Sequence, residues 1–290
     1  MGPVPRAGTP LAAGVLLLSL AVGCADDASD ERGGPEETAL PAGLTAYVDQ
    51  SRMLRQTRTA FVRLVNEPER FVTVLRAEVF SPRFGEVTWT GEKTFQNEAD
   101  LEFEVPTGRC GEGSDAEVRL TYRVDDGPEQ VSETTATDRY GAIGLFLDRD
   151  CAAQTFAEAA TLDLGETRVV GRGRESVFEL PVTMTPTGER DDVAFGGFED
   201  TVLFRGTEGS PTVGTTAPVP LGVDDPPVEV VLRLVPTRCD PHALAEDKVG
   251  TLIGVRTLAP GLSEVASFHL PIGDARRGEL RGFFAVHCGL

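Results

Sequence analysis

The feature that most constrains this chain is a cysteine-containing segment that occurs twice. Val105 to Cys110 reads VPTGRC and Val235 to Cys239 reads VPTRC, so the two copies differ by one inserted glycine. Similar residues precede a second cysteine in each copy, in GLFLDRDC ending at Cys151 and GFFAVHC ending at Cys288. A period of about 130 residues is that of a whole domain and far exceeds a solenoid unit. The sequence therefore predicts two diverged copies of one fold.

The duplication also selects a disulfide pairing. Four cysteines allow three pairings, and their spacing alone does not choose among them. If each copy closes on itself, Cys110 pairs with Cys151 and Cys239 pairs with Cys288. Outside the cytosol both pairs are expected to be oxidised. In the chain-entropy model, each bridge stabilises its domain by about 3 to 4 kcal/mol.

Alternation of apolar and polar residues predicts strands between these cysteines. Val118 to Val124 alternates with a period of two, and clusters of Gly, Pro, Asp and Ser separate the other runs of strand-forming residues. Those other runs are 71–80, 161–164, 176–185, 249–258 and 263–270. Residues 44–64 fit neither a helical nor a strand period well, although 60–64 favours an opening strand. Short strands with frequent turns are typical of antiparallel sandwiches.

We therefore predict an all-β chain of two tandem immunoglobulin-like antiparallel β-sandwich domains, each with one internal disulfide. The predicted domains are residues 45–158 and 159–290. Antibody domains have the order Cys, Trp, Cys, whereas Trp89 precedes both cysteines of the first copy. We interpret Trp89 as a core residue and not as a ligand platform.

The N-terminus is predicted to be an export signal, residues 1–23. Arg6 supplies a positive charge, and the apolar run from Leu11 to Val22 is shorter than the roughly 20 residues that span a bilayer. Residues 24–44 are rich in acids, Pro and Gly without apolar periodicity, which predicts a disordered acidic tether. The formal net charge of −19 disfavours binding to nucleic acid.

The histidines are candidate ligands for copper or zinc, because three imidazoles suit either metal. All three belong to the second copy: His242, His269 and His287. A structural role also accounts for the first of them, because Asp240 could cap helical turns that begin at Pro241. His287 precedes Cys288, and strand alternation would turn its side chain outward if Cys288 points inward.

No catalytic residue is predicted. The sequence lacks a G-x-S-x-G elbow, an H-E-x-x-H pair, a phosphate-binding glycine loop ending in Lys, and a C-x-x-C motif. Acidic pairs at 125–126, 191–192 and 224–225 lie in turn-like contexts, where carboxylates usually cap turns. The long stretch 207–225 in the second copy is predicted to be either a surface loop or a binding element.

Two segments resemble known proteins. Leu20 to Cys24 (LAVGC) resembles a bacterial lipobox, which implies that Cys24 is lipidated and becomes the first residue. The alternative is an ordinary secreted protein cut near Ala25. Residues 236–251 (PTRCDPHALAEDKVGT), with that start, are similar to uncharacterised lipoproteins of GC-rich, actinobacterial type. The resemblance implies export, anchoring and a β-rich fold, and it carries over no catalytic residue.

Together these patterns favour a lipoprotein held at the extracytoplasmic face of the cell membrane by acyl chains on Cys24. Two or three chains anchor durably, whereas one is marginal. The expected role is non-catalytic binding of an envelope protein or a cell-wall ligand. A copper- or zinc-binding protein that uses the three histidines is the alternative.

Overall fold

Strands are the main regular structure of the described chain. The computed structural model describes residues 37–67, 70–245 and 249–290. Its strands are β1 Glu37–Thr38, β2 Leu44–Asp49, β3 Thr59–Asn66, β4 Val72–Ser81, β5 Gly85–Phe95, β6 Glu98–Glu104, β7 Ala116–Val124, β8 Gln130–Ala136, β9 Ala160–Leu164, β10 Arg168–Val170, β11 Val177–Pro186, β12 Ala194–Phe198, β13 Phe204–Gly206, β14 Val219–Pro220, β15 Val228–Pro236, β16 Gly254–Leu258 and β17 Ser267–His269. Its helices are α1 Ala142–Ala159, α2 Pro241–Ala245 and α3 Asp274–Cys288, with 3-10 turns at Leu54–Gln56 and Gly173–Glu175. The mostly-β class predicted from the alternation is confirmed.

The N-terminal half contains two sheets. One has the strand order β1-β8-β7-β4-β5, in which only β1 and β8 are parallel, and the other has the order β2-β3-β6. Alternate residues of their strands, such as Val62, Leu101 and Leu120, are fully buried in one hydrophobic cluster. Trp89 on β5 is half-buried and packs against this cluster, in agreement with a packing role.

The C-terminal half also contains two sheets, with its own hydrophobic cluster. One sheet has the order β10-β11-β15-β13, with β9 also paired to β11, and the other has the order β14-β12-β16-β17. Phe178, Leu232 and Val255 from these strands are buried together. Two of the predicted strands are shorter than expected, because regular pairing covers only 254–258 and 267–269.

Both predicted disulfides are confirmed. Cys110 is bonded to Cys151, and Cys239 is bonded to Cys288. In each copy the first cysteine follows a strand, β6 or β15, whereas the second lies on a helix, α1 or α3. The alternation predicted the strands but not these two helices.

Helix α1 contributes to both hydrophobic clusters. Ile143 and Leu147 in its first half are buried in the N-terminal cluster, whereas Ala152 and Phe156 in its second half are buried in the C-terminal one. The Phe156 ring packs 5.2 Å from that of Phe268, centroid to centroid. All described residues belong to one compact unit. The division into domains at 158/159 stays a prediction. Helix α1, which ends there, packs in the hydrophobic clusters of both halves.

The inserted glycine of the first copy lies directly against α1. A Cβ atom at Gly108 would be 2.8 Å from Leu147 Cδ2, so a larger residue would displace the chain from the helix. The Gly108 N–H donates to Asp150 Oδ2 at 2.7 Å, and Arg58 donates to both oxygens of Asp150 at 2.9 Å. These bonds hold the segment before Cys110 against the helix that carries Cys151.

The last residues of the predicted disordered tether, from 37 to 44, are in fact ordered. Glu37 and Thr38 form β1, which pairs with β8 at Val131 and Ser132, and Leu44 is buried at the start of β2. Backbone pairing and apolar burial order these residues despite their composition. The part of the tether from residue 24 to 36 lies outside the described residues.

Replacing Cys110 and Cys151 by serine is expected to lower the free energy of unfolding by about 3 to 4 kcal/mol, because the unfolded chain regains the loop entropy that the bridge removes. Urea titration followed by the fluorescence of Trp89, the only tryptophan, measures the change in the N-terminal half. The matched double variant of Cys239 and Cys288 should shift this signal less, because α3 packs in the other cluster. Equal shifts in both variants would contradict this prediction and show that the two halves unfold as one cooperative unit.

Candidate binding surface

The stretch 207–225 is an ordered loop between β13 and β15. Its first part lies along β12, where the Phe198 N–H donates to the Pro211 carbonyl at 2.8 Å and the Val213 N–H donates to the Phe198 carbonyl at 3.0 Å. Its later part forms β14, which pairs with β12, and then buries Leu221. The loop backbone is therefore fixed at two places on one strand.

Gly197 on β12 allows the close approach of this loop. Its φ angle is +107°, a conformation that L side chains rarely adopt. A Cβ atom there would lie 2.8 Å from both the carbonyl carbon of Thr212 and the amide nitrogen of Val213. Since both atoms belong to the backbone, any larger residue at this position would push the loop away.

Arg233 on β15 holds the loop through hydrogen bonds. Its backbone N–H donates to Ser210 Oγ at 3.1 Å, and its Nη1 donates to the Gly209 carbonyl at 3.2 Å. The carboxylate of Glu179 accepts from Arg233 Nε at 2.9 Å and from Arg168 Nε at 2.5 Å. The bond from Arg233 is the main cause that lowers the pKa of Glu179, so this carboxylate stays charged and holds the guanidinium in place.

The loop encloses a polar pocket of about 540 Å³. Its walls are formed by Arg205, Gly206, Thr207, Glu208, Gly209, Ser210, Pro211, Thr212, Thr215 and Thr216. Hydroxyl groups dominate, and the Oγ1 atoms of Thr212 and Thr215 are 2.7 Å apart. These walls therefore offer hydrogen-bond donors and acceptors to a polar ligand. The sequence prediction found this loop but missed Arg205 and Gly206, which belong to β13.

A second cleft of about 490 Å³ lies beside the first disulfide, between α1 and the loop around Ser263. Its charged side chains include Arg83 and Asp148, which form an ion pair at 3.0 Å. Arg83 is almost fully buried and also donates to the Arg109 carbonyl. The two charges offset each other, so we regard this cleft as the weaker candidate for ligand binding.

Helix α2 begins next to Asp240, as the capping pattern predicts. The His242 backbone N–H donates to Asp240 Oδ1 at 2.9 Å, and the Ala243 N–H donates to the Asp240 carbonyl at 3.0 Å. Pro241 is the first helical residue, and the His242 side chain is exposed. Residues 246–248, with which this segment was expected to continue, lie outside the described part of the chain.

The predicted outward orientation of His287 is wrong. Both His287 and Cys288 are 8% exposed, because they lie on a helix, where neighbours are 100° apart and can share one buried face. The His287 Nδ1 atom is 3.0 Å from the Ser176 carbonyl oxygen, and the ring packs edge-on against Phe283. This histidine is held as a structural residue of the C-terminal cluster.

His269 on β17 lies among cations. Burial is the main cause that lowers its pKa from the ordinary value of 6.5 to about 4, and repulsion by Arg149, Arg277 and Arg55 lowers it further. Positive neighbours disfavour a metal cation as they disfavour an imidazolium ion. Across residues 37–67, 70–245 and 249–290, no three His, Cys, Asp or Glu side chains are grouped so as to hold a metal ion. The three histidines thus lie on α2, β17 and α3 without forming a site of this kind.

One carboxylate of each acidic pair has a local partner in the structure. Asp125 Oδ1 accepts from the Phe71 N–H at 3.0 Å, and Asp225 Oδ2 accepts from the Gly222 N–H at 2.7 Å. Asp192 binds the Arg190 guanidinium through both oxygens. Asp125 and Asp225 therefore act as turn caps, as expected, whereas Asp192 is an ion-pair partner.

The candidate lipidation residue, Cys24, lies outside the described residues. Within the described part, the helices include none that is both long and apolar enough to cross a membrane.

Comparison with known proteins does not assign a family. No family model and no curated protein matches the chain. Among solved structures, the chain is similar to the exo-β-D-glucosaminidase CsxA bound to inhibitors, with 13% identity and a TM-score of 0.20 over 79% of this chain. A complex of Amycolatopsis orientalis exo-chitosanase CsxA with PNP-β-D-glucosamine gives 15% identity and a TM-score of 0.21 over the same share. In both cases the chain covers 26% of the matched protein's length. Likeness at this level carries no argument about function.

Acidification should destabilise the protein through His269. Its pKa is lower in the folded state, so between pH 6.5 and about 4 the unfolded state binds more protons, and stability falls as the pH falls. A shift of this size corresponds to about 3 kcal/mol. His269→Gln should therefore give a flatter dependence of unfolding free energy on pH across this window, measured by urea titration.

His242→Gln is the matched control, because that side chain is exposed. It should keep the slope of the original protein. Parallel curves for His269→Gln and the original protein would show that folding does not lower the pKa of His269.

Proposed function

We propose that this protein is a lipid-anchored, extracytoplasmic binding protein that recognises a polar ligand of the cell envelope through the pocket of residues 205–216. The observation that carries the proposal is a loop pocket whose walls offer hydroxyl, amide and carbonyl groups on a backbone fixed by β12 and Arg233. A preorganised polar surface loses little conformational entropy on binding. It therefore suits recognition better than a mobile loop does.

The chemistry of the walls supports binding without turnover. Arg205 and Glu208 are the charged side chains of the pocket, and both are exposed. A cell-wall glycan or its peptide presents hydroxyl, amide and carboxylate groups that these residues and the threonine hydroxyls can bind. We choose the cell wall as the ligand over an envelope protein because the walls of the pocket are polar and carry no large apolar anchor.

Lipid anchoring is the second part of the proposal, and it rests on the LAVGC sequence at residues 20–24. Acyl chains on Cys24 would hold the folded part at the membrane surface. No observation on the described residues favours copper or zinc, so the metal alternative is not part of the proposed function.

Anchoring is tested by expressing the full chain, with its own leader, in an actinobacterial host fed a palmitate analogue. The original protein should be labelled and found in the membrane fraction, and mass spectrometry should find a modified Cys24 as the first residue. Cys24→Ser should be unlabelled, whereas His242→Gln should remain labelled. An unmodified N-terminus at Ala25 in the original protein would contradict anchoring.

Ligand binding is tested by sedimenting the protein with purified peptidoglycan sacculi. The double variant Arg205→Ala, Thr215→Ala removes one cation and one hydroxyl from the pocket walls, and we expect binding at least about tenfold weaker, since each bond to a charged group contributes about 1.5 to 3 kcal/mol. Arg174→Ala, at an exposed residue that does not belong to the pocket walls, should bind like the original protein. Failure of the original protein to sediment, or equal binding by the double variant, would refute this role.

A further inference from the structure

Helix α3 lies along one edge of the C-terminal sheet. That edge is formed by β9 and β10, which pair with successive parts of β11. Near the start of the helix, Arg276 Nη2 donates to the Leu164 and Gly165 carbonyls at 3.0 Å. Near its end, the His287 Nδ1 atom is 3.0 Å from the Ser176 carbonyl oxygen. The helix is therefore held beside the edge of the sheet near both of its ends.

A groove of about 410 Å³ lies between α3 and β10. Phe178 of β11 and Phe283 of α3 line it, and their ring centroids are 5.6 Å apart. Val169 of β10 and Val286 of α3 also line it, and these two side chains are 54% and 72% exposed. Exposed apolar side chains that share one groove mark an interaction surface, unlike single scattered ones.

The polar side chains of this groove have partners within the protein. Thr167 Oγ1 donates to Glu279 Oε2 at 2.6 Å. Arg168 Nε donates to the buried Glu179 carboxylate at 2.5 Å. The groove therefore offers an approaching molecule mainly apolar contact.

The loop that leaves β10 is basic. Residues 168–174 read RVVGRGR, with three arginines and no acid, in a chain with a net charge of −19. Arg172 and Arg174 are exposed, and Val170 is 49% exposed. Helix α3 packs against the 3-10 turn that includes Arg174, so this loop borders the groove. Glu166 and Glu175 border the basic segment in the sequence.

We propose that the groove between β10 and α3, together with the loop 168–174, docks onto an anionic phospholipid bilayer. Lipid phosphates bind guanidinium groups, and the exposed valines can enter the apolar region just below the headgroups. Basic residues close to an anionic bilayer are attracted to it, whereas an acidic surface is repelled. The net charge of the chain therefore favours contact through this basic surface.

The same charges disfavour a second copy of this chain as the occupant. A symmetric dimer through this groove would bring two RVVGRGR segments against each other, and like charges across an interface are unfavourable. The bilayer contact goes beyond the proposed function, because it does not depend on the acyl chains of Cys24 or on the pocket of residues 205–216. It would orient the folded part relative to the membrane.

Sedimentation with lipid vesicles tests the proposal. The protein used is residues 25–290, which contains the whole compact unit of described residues and lacks Cys24, so that acyl chains do not contribute. It should bind vesicles that contain phosphatidylglycerol more tightly than vesicles of phosphatidylcholine alone, and salt should weaken the binding. The double variant Arg172→Gln, Arg174→Gln should bind at least about tenfold more weakly, since each arginine near an anionic surface contributes to affinity.

The matched control is Arg70→Gln, Arg109→Gln, which removes the same charge from exposed residues that do not line the groove. This control should bind vesicles like the original protein. The double variant at Arg172 and Arg174 should still sediment with sacculi, which separates this surface from the ligand pocket. Equal binding of the original protein to both kinds of vesicle, or equal losses in both double variants, would overturn the proposal.

A second variant tests the apolar part of the surface. Val169→Thr, Val286→Ser keeps the charges but removes methyl groups that enter the bilayer, so we expect binding at least about fivefold weaker with the salt dependence kept. Its urea midpoint should match that of the original protein, because both side chains are largely exposed. Unchanged vesicle binding by this variant would contradict the proposal. A dimer of the original protein in sedimentation velocity, absent in this variant, would assign the groove to a second copy and overturn the proposal.

Discussion

The attachment of α1 is the constraint on which the rest of the structure depends. A disulfide joins the helix to the segment after β6. Asp150 of the helix accepts hydrogen bonds from the Gly108 N–H on that segment and from Arg58, which precedes β3. The helix then buries Phe156 in the other hydrophobic cluster. Because a helix is rigid over its length, fixing its first half to one cluster also fixes what the other cluster packs against.

The sequence predicted the fold class and the disulfides because both leave local marks. Strands with one buried face alternate, as Val118 to Val124 does on β7, and a duplicated segment reduces three cysteine pairings to one. Helix α1 left no such mark. It packs against two clusters, so residues on several of its sides are buried and the apolar stripe expected every 3.6 residues is blurred. The ordered residues 37–44 were missed for a related reason, since pairing with β8 is a long-range contact that composition does not report.

The candidate site was predictable only in part. The unusual length and the Gly, Pro and Thr content of residues 207–225 indicated a loop of interest. What makes it a pocket is its support by Gly197 and Arg233, which lie on other strands. For the histidines the sequence suggested a site that the structure does not form. Three histidines suggested a metal site, but they lie on three different elements in different surroundings. His287 contacts the carbonyl of Ser176, which is far away in the sequence. The residues next to His287 in the sequence therefore do not predict this contact.

The two helices that carry the second cysteine of each disulfide differ in what they pack against. Helix α3 buries Leu280, Phe283 and Phe284 in one cluster and leaves Val286 exposed, whereas α1 joins two clusters. In α1, Asp148 and Asp150 bind Arg83 and Arg58 of the first copy, while Phe156 packs against Phe268 of the second. The chain on both sides of α1 forms one compact unit, and this helix is buried in both hydrophobic clusters. The smaller exposed face of α1 is therefore the cost of joining the two clusters through one helix, a cost that α3 does not have.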